Sequence, residues 1–239
     1  MGTRLIQQKR GKGGPRYRSP GHRFFSKVAY DFERKPIGGE VVAFVDDPAR
    51  HALITVILTE DGSLIYNLAS EGQYIGNRLE LMNPEKIQVG TPLKLGDIPE
   101  GTPIFNIELA PLDGGKLART PGSFCQRLAQ DEDTGLVTIL LGSKKTIQLK
   151  PECMATVGIV AGGGKNELPF MKAGNKFYAM KAKNRLWPKV RGRAMSAYDH
   201  PYGGKTGGKP TAVKRSTPPG RKAGHVDAKS TGRKKTKKA

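Results

Sequence analysis

The sequence predicts a mainly β protein whose folded middle is flanked by long, basic and irregular N- and C-terminal extensions. Short runs rich in Val, Ile, Leu and Thr recur between Gly, Pro and Asp turns in the middle of the chain. No helix-period segment of about ten residues interrupts them. The two ends hold few large apolar residues and many Gly, Pro, Lys and Arg, so they cannot bury enough surface to offset their chain entropy.

The predicted strands form two sets of short runs, as small barrels do. Asp61-Gly62 and the segment 131–135 supply the tight turns of hairpins. The runs are 41–45, 52–58, 64–68, 104–109, 123–129, 136–141, 146–149 and 154–160. A limit near Gly96 divides the middle into two barrels, which gives four predicted regions: 1–36, 37–96, 97–162 and 163–239.

Charge is distributed unevenly along the chain. Residues 1–36 hold ten Lys or Arg and two Asp or Glu, a net charge of +8. Residues 37–162 hold ten against sixteen, net −6, and residues 163–239 hold twenty-one against three, net +18. Two cationic arms on a mildly acidic body indicate a polyanionic partner, and nucleic acid is the commonest large one.

Both arms interleave cations with aromatic residues and glycine, as RNA-binding segments do. Cations bind phosphates, and aromatic rings and guanidinium planes stack on unpaired bases. A merely solvating tail would not need the aromatic residues. The predicted RNA-binding residues are Arg4, Lys9, Arg10, Lys12, Arg16, Arg18, Arg23, Lys165, Lys172, Lys176, Lys181, Lys183, Arg185, Trp187, Lys189, Arg191, Arg193, His200, Lys205, Lys209, Arg215 and Arg221.

Signatures of other function classes are missing from the sequence. Gly204-Lys205-Thr206 resembles the end of a P-loop, but Asp199 stands where its first glycine is required. The two cysteines and four histidines show no zinc-ligand spacing, so we expect the chain to hold no metal site or cofactor of its own. We expect Cys125 and Cys153 to be buried apolar residues. No apolar run approaches the ~20 residues of a membrane span, and the N-terminus lacks a secretory signal.

Ordered motifs along nearly the whole chain resemble one family, the universal large-subunit ribosomal protein two in its archaeal and eukaryotic form. The matching segments are 47–50 (DPAR), 98–102 with 106–108 (IPEGT, NIE), 115–122 (GKLARTPG), 153–158 (CMATVG), 189–195 (KVRGRAM) and 199–204 (DHPYGG). Two departures are Ser196-Ala197, where the family usually has Asn-Pro, and Lys205, where it has a third glycine.

This resemblance implies an OB-like barrel followed by an SH3-like barrel, with extensions threaded into large-subunit rRNA. It implies a cytoplasmic ribosomal protein near the peptidyl transferase centre that contacts neighbouring large-subunit proteins. It also implies a contribution to tRNA placement and to subunit association through a bridge to the small subunit. Magnesium associated with the rRNA could join the arms to phosphates.

Two other functions fit parts of the sequence. His200 beside Asp199 has the residue types of a general acid/base pair, which would suit catalysis of peptide-bond formation, although no nucleophile or oxyanion donor is readable nearby. A free RNA or DNA chaperone, or a transcription factor with an SH3-like module, would also carry basic arms. We expect a structural protein rather than an enzyme.

Overall fold

The computed structural model describes residues 5–30, 35–165, 167–204, 212–220 and 222–228. The chain forms two compact units. The first combines residues 1–20 with 171–239, and the second comprises residues 21–170.

The described secondary structure consists of twelve strands, two α-helices and four 3-10 helices of three residues each. The strands are β1 Ile37–Val45, β2 Ile54–Thr59, β3 Leu64–Leu68, β4 Arg78–Leu81, β5 Pro92–Lys94, β6 Pro103–Phe105, β7 Cys125–Gln130, β8 Val137–Leu140, β9 Thr146–Leu149, β10 Met154–Val157, β11 Ala212–Val213 and β12 His225–Val226. The helices are α1 Ile6–Gly11 and α2 Ala173–Ala182.

Two antiparallel sheets build the second unit. The first has the order β3-β2-β1-β4, and the second has the order β5-β10-β6-β7-β8-β9. The predicted turn at Asp61-Gly62 joins β2 to β3, with Gly62 at φ 78° and the Thr59 N–H donating to the Ser63 carbonyl at 2.9 Å. This mainly β architecture confirms the predicted fold class and is consistent with an OB-like barrel followed by an SH3-like barrel.

The sequence placed the limit between the two barrels near Gly96, but the first strand of the second sheet lies before that limit. Strand β5, at Pro92–Lys94, pairs with β10. Leu93 and Leu95 are fully buried in the same apolar cluster as Ile104, Ile139 and other residues of this sheet. The four domain limits as a whole stay a prediction.

The predicted strand 104–109 is wrong beyond Phe105. Asn106 has a left-handed φ of 52°, which turns the chain out of the extended conformation. Glu108 is then fully buried, and its carboxylate accepts the backbone N–H of Met154 at 2.9 Å and of Gly114 at 3.2 Å. The alternating apolar and polar residues of 104–109 therefore do not mark a half-buried strand; they belong to a buried turn that is held by the Glu108 carboxylate.

A buried polar network links the two sheets to the segment that precedes β1. The Tyr30 hydroxyl lies 2.7 Å from Thr156 Oγ1 and donates to the Asn106 carbonyl at 2.8 Å. Asn67 Nδ2 donates to Thr156 Oγ1 at 3.0 Å, and Asn106 Nδ2 donates to Asn67 Oδ1 at 3.1 Å. Burial raises the pKa of the Tyr30 phenol far above its ordinary value, so it remains a donor.

The last part of the predicted N-terminal arm, from residue 21 onward, belongs to the second unit. Val28, Ala29 and Tyr30 are buried, and Val28 packs in one cluster with Ile54 and Phe105. This burial differs from the expectation that residues 1–36 form an irregular arm with little buried apolar surface, because three apolar residues follow Lys27 directly.

Both cysteines are buried, as predicted, and neither forms a disulfide. Cys125 is 4% exposed and Cys153 is 0% exposed, and both belong to the apolar cluster of the second sheet. Burial raises the pKa of the Cys125 thiol, which keeps it protonated and unreactive near neutral pH.

Candidate nucleic-acid interface

The two units carry opposite net charge. The unit of residues 1–20 and 171–239 holds twenty-six Lys or Arg and two Asp or Glu, a formal net charge of +24. The unit of residues 21–170 holds fifteen against nineteen, a net charge of −4. Most of the described members of the predicted RNA-binding set are solvent-exposed, with Lys183, Trp187 and His200 half-buried. Electrostatic attraction to a polyanion is therefore concentrated in one unit.

Helix α2 was not predicted, because its apolar residues do not form a continuous stripe. It ends in a Schellman motif, in which the Arg185 N–H donates to the Met180 carbonyl at 2.8 Å and the Asn184 N–H to the Lys181 carbonyl at 3.0 Å. Asn184 has the left-handed φ of 50° that this motif requires. Helix α2 therefore sets the direction of the chain that follows it in the C-terminal extension.

Asn184 joins the N-terminal arm to the C-terminal extension. Its Nδ2 donates to the carbonyls of Pro15 and Arg18, each at 2.7 Å. One side chain thus fixes two segments that lie more than 160 residues apart in the sequence. This contact brings cations of both segments together, because Arg10, Arg16, Arg185 and Lys189 line one cleft.

We expect this junction to respond differently to two substitutions at position 184. Asn184→Gly keeps the left-handed backbone but removes both side-chain bonds, whereas Asn184→Ala also strains the backbone. Each lost bond contributes about 1 kcal/mol, and a left-handed non-glycine residue costs about 1 kcal/mol more. Hydrogen exchange of amides in 8–18 should therefore speed up in both variants, and more in the Ala variant. Unchanged exchange in both variants would contradict this junction.

Aromatic rings lie among the cations of this unit. Lys176 Nζ is 5.7 Å from the centroid of the Trp187 ring, a cation–π distance. Phe177 and Tyr178 are exposed on α2 and meet edge to face at 5.6 Å. The structure therefore brings the stacking and charged residue types of the prediction together around α2 and the segment that follows it.

His200 sits in a tight turn that is supported by hydrogen bonds. Its Nδ1 accepts the Tyr202 N–H at 3.1 Å, so the neutral ring carries its proton on Nε2. A side chain at Gly192 would collide with the imidazole, and one at Gly203 would collide with the Ser196 carbonyl. The turn itself therefore leaves no room for a side chain at Gly192 or Gly203.

Ser196 organises this turn where the family usually has Asn. Its hydroxyl donates to the Asp199 carboxylate at 3.0 Å and accepts the Asp199 N–H at 3.3 Å. Ser and Asn both cap turns through such side-chain bonds, so the departure preserves the local chemistry. Asp199 is thereby engaged with Ser196 rather than placed as an orienting partner of the His200 Nδ1.

Among the described residues, the predicted cations Lys165 and Arg215 make ion pairs within the chain. Lys165 Nζ lies 3.7 Å from the Asp46 carboxylate and donates to the His51 carbonyl at 3.2 Å. Arg215 lies 3.5 Å from the Asp227 carboxylate. Both pairs are solvent-exposed, so they compete only weakly with a phosphate.

Sequence reasoning missed the arginines that hold the N-terminal segment in place. Arg50 pairs with buried Asp47 at 3.1 Å and donates to the Ser26 carbonyl at 2.9 Å. Arg119 donates to the carbonyls of Gly115 at 2.7 Å and Val28 at 3.2 Å, and burial lowers the pKa of its guanidinium. Both arginines lie in motifs that resemble the family, 47–50 and 115–122, but no local pattern indicates that their side chains bind backbone carbonyls far away in the sequence.

Four members of the predicted RNA-binding set, Arg4, Lys205, Lys209 and Arg221, lie outside the described residues. Within the described ranges, no three His, Cys, Asp or Glu side chains gather into a possible metal site. None of the described helices is long and apolar enough to span a bilayer.

The fold and the charged surface together define a class: a β-barrel protein with basic extensions suited to RNA. Comparison with known sequences gives the family. The sequence model described as Ribosomal Proteins L2, C-terminal domain, matches residues 88–223. The chain is 46% identical over 241 residues to the large ribosomal subunit protein uL2 of Methanopyrus kandleri, covering 98% of each chain.

Further archaeal relatives show the same relation over nearly their whole length. Large ribosomal subunit protein uL2 of Methanococcus vannielii is 45% identical over 242 residues, covering 98% of this chain and 100% of the relative. The uL2 protein of Natronomonas pharaonis is 42% identical over 238 residues, covering 98% of this chain and 97% of the relative. The chain therefore belongs to the uL2 family of large-subunit ribosomal proteins, as the motifs indicated.

Family membership confirms that the chain is a structural ribosomal protein of the archaeal type rather than an enzyme. The alternatives of a free chaperone or a transcription factor do not follow from the family.

Proposed function

We propose that this chain is a primary rRNA-binding protein of the large ribosomal subunit and that it binds the rRNA through residues 1–20 and 171–239. The separation of charge carries this proposal. The net charge is +24 in residues 1–20 and 171–239, the basic unit, and −4 in residues 21–170, the β body. The β body then acts as the scaffold from which both arms depart. Phosphate contacts from Lys and Arg supply most of the affinity, and aromatic residues contribute stacking on unpaired bases.

We place the protein near the peptidyl transferase centre, where it supports tRNA placement and subunit association. The support is the resemblance of segments 189–195 and 199–204 to the most characteristic part of the family. Its further partners are neighbouring large-subunit proteins and the small subunit, reached through an intersubunit bridge in the cytoplasmic ribosome. Magnesium held by the rRNA would join exposed carboxylates and carbonyls to phosphates.

Sedimentation at raised salt tests this proposal against the free chaperone or transcription factor. An integral rRNA-binding protein remains with the large-subunit peak through a wash of about 0.5 M salt. Salt weakens its phosphate contacts at equilibrium, but release during the wash is slow because many contacts must break together. The salt-washed particles are separated on a gradient and the chain is detected across the fractions. Release of the chain to the top of the gradient, with other large-subunit proteins retained, would contradict the proposal.

We expect His200 to position RNA without proton chemistry. His200→Gln keeps a hydrogen-bond acceptor and a donor but cannot shuttle a proton, whereas His200→Ala removes both and one local bond worth about 1 kcal/mol. Reconstituted subunits with Gln should therefore assemble and bind tRNA better than subunits with Ala. Peptide-bond formation should follow tRNA binding in both variants.

The catalytic alternative gives the opposite result for the same variants. Fully assembled particles with His200→Gln would bind tRNA normally yet lose peptide-bond formation. That result would overturn the positioning role, and equal behaviour of the Gln variant and the natural protein would support it.

A further inference from the structure

A cleft in the basic unit lies between the N-terminal arm and the segment that follows α2. It has a volume of about 910 Å³, near the upper end of the ~300–1,000 Å³ of small-molecule sites. Its walls come from residues 6–17 and from residues 180–195. A space of this size accommodates one nucleotide, whereas it does not accommodate a duplex.

The lining combines flat apolar surface with positive charge. Tyr17, Trp187 and Pro188 contribute ring surfaces, and Met180 and Leu186 contribute further apolar wall.

The charged part of the lining consists of Arg10, Arg16, Arg185 and Lys189, and no carboxylate is among the described residues that line the cleft. Lys176 adds a further cation beside the stacking surface, because its Nζ lies 5.7 Å from the Trp187 ring centroid. Such a lining repels cationic segments and attracts an anion that carries an aromatic group.

The walls are held in place before any ligand binds. The Schellman motif fixes the chain direction at Asn184, and the two 2.7 Å bonds from Asn184 Nδ2 fix Pro15 and Arg18 opposite it. A pre-formed site loses little conformational entropy on binding. The cleft is therefore built as a receptor rather than left as a gap between two loose segments.

We infer that this cleft receives a single unpaired nucleobase of RNA, stacked on Trp187, with its phosphates held by the surrounding Arg and Lys side chains. The inference rests on the proposed RNA-binding function and assigns one nucleotide-sized site within it. A base in a duplex shows no free face for stacking, so the ligand is an unpaired base. A phosphate without a base would leave the apolar walls unused, and an acidic peptide would lack the planar group.

The single tryptophan of the chain makes this site directly observable, since all tryptophan fluorescence reports Trp187. The full chain is titrated at about 200 mM salt with a single-stranded RNA of ten nucleotides. The comparison ligand is the same ribose-phosphate chain with its central bases removed. We expect the base-containing RNA to quench Trp187 and to bind about 5- to 150-fold more tightly than the abasic chain, as one stacked base provides.

Two variants and a second fluorophore separate the cleft from general RNA binding. Trp187→Leu should abolish the preference for the base-containing RNA, whereas Tyr74→Leu, a change at an exposed ring of residues 21–170 outside the lining, should retain it. RNA with 2-aminopurine at the central position should lose emission on binding the natural chain, which needs no variant.

Each alternative outcome has a distinct meaning. Equal, salt-dependent binding of both RNAs without a change in Trp187 emission would overturn the cleft and leave the proposed rRNA binding intact. Equal quenching by an oligoglutamate peptide of matched charge would show a general polyanion site and overturn the inference. Absence of binding to either RNA would overturn the proposed function and this inference together.

Discussion

Replacing Tyr30 with Ala should lower the free energy of unfolding of the β body by about 3–5 kcal/mol, the usual cost of deleting a buried aromatic side chain. The Tyr30 ring packs with Met82 and Met154, and all three side chains are buried. The substitution would leave a cavity and would deprive Thr156 Oγ1 and the Asn106 carbonyl of a partner. Since domains are stable by about 5–15 kcal/mol in total, this is a large share.

Denaturant unfolding followed by circular dichroism measures this effect. Tyr30→Phe isolates the hydroxyl and should cost about 1–3 kcal/mol through the groups left unsatisfied. Tyr74→Ala is the matched control, because Tyr74 is 64% exposed and its loss should change stability by less than about 0.5 kcal/mol. If Tyr30→Ala unfolded at the same denaturant concentration as the control, the linking role of the network would be refuted.

Affinity for rRNA should fall about 10³- to 10⁵-fold between 50 and 200 mM salt if 6–10 phosphates are contacted, because each contact releases counterions. The log–log slope should be about −0.7 to −0.9 per contact. The β body carries net −4 and lacks this term. Neutralising Arg10, Arg16, Arg185 and Lys189 to Gln together should therefore flatten the slope by about three to four units.

Filter binding to a large-subunit rRNA fragment over this salt range measures the slope. A control with four charge-neutralised residues of the β body, Lys86, Lys94, Lys144 and Lys150, should keep the full slope. A slope that changed equally in both variants would show that net charge rather than placement governs binding.

The regular parts of the fold were predictable from the sequence where local chemistry decides the structure. Strands β3 and β9 match the predicted runs in full, and the Asp61-Gly62 hairpin forms as its residue types require. Strand β1 begins four residues earlier than predicted. Gly38 and Gly39 are weak strand formers by themselves, yet Gly38 pairs with β4 and Gly39 pairs with both β2 and β4.

The missed features depend on contacts between residues that are distant in the sequence. Burial of Glu108 and the left-handed Asn106 converts an alternating segment into a turn. Arg50 and Arg119 bind backbone carbonyls of the N-terminal segment, which no spacing along the chain predicts. The cations of the interface were readable from composition, whereas the cleft at Trp187 requires Asn184 to bring two arms together.

The same contacts revise the expected behaviour of the N-terminal arm. Residues 28–30 are buried in the β body, so the part of the arm that is available to bind RNA ends before residue 28. The arm is attached to the β body where the carbonyls of Ser26 and Val28 accept hydrogen bonds from Arg50 and Arg119. Truncation before residue 24 should therefore leave the stability of the β body nearly unchanged.

The most direct test of RNA binding by the basic unit is a cross-linking map of this chain within assembled large subunits. Ultraviolet irradiation followed by mass spectrometry identifies the peptides joined to rRNA. The account predicts that cross-linked peptides come mainly from residues 5–20 and 171–228, with Trp187 among the attachment sites. Cross-links concentrated in residues 37–162, with residues 5–20 and 171–228 uncross-linked, would contradict it.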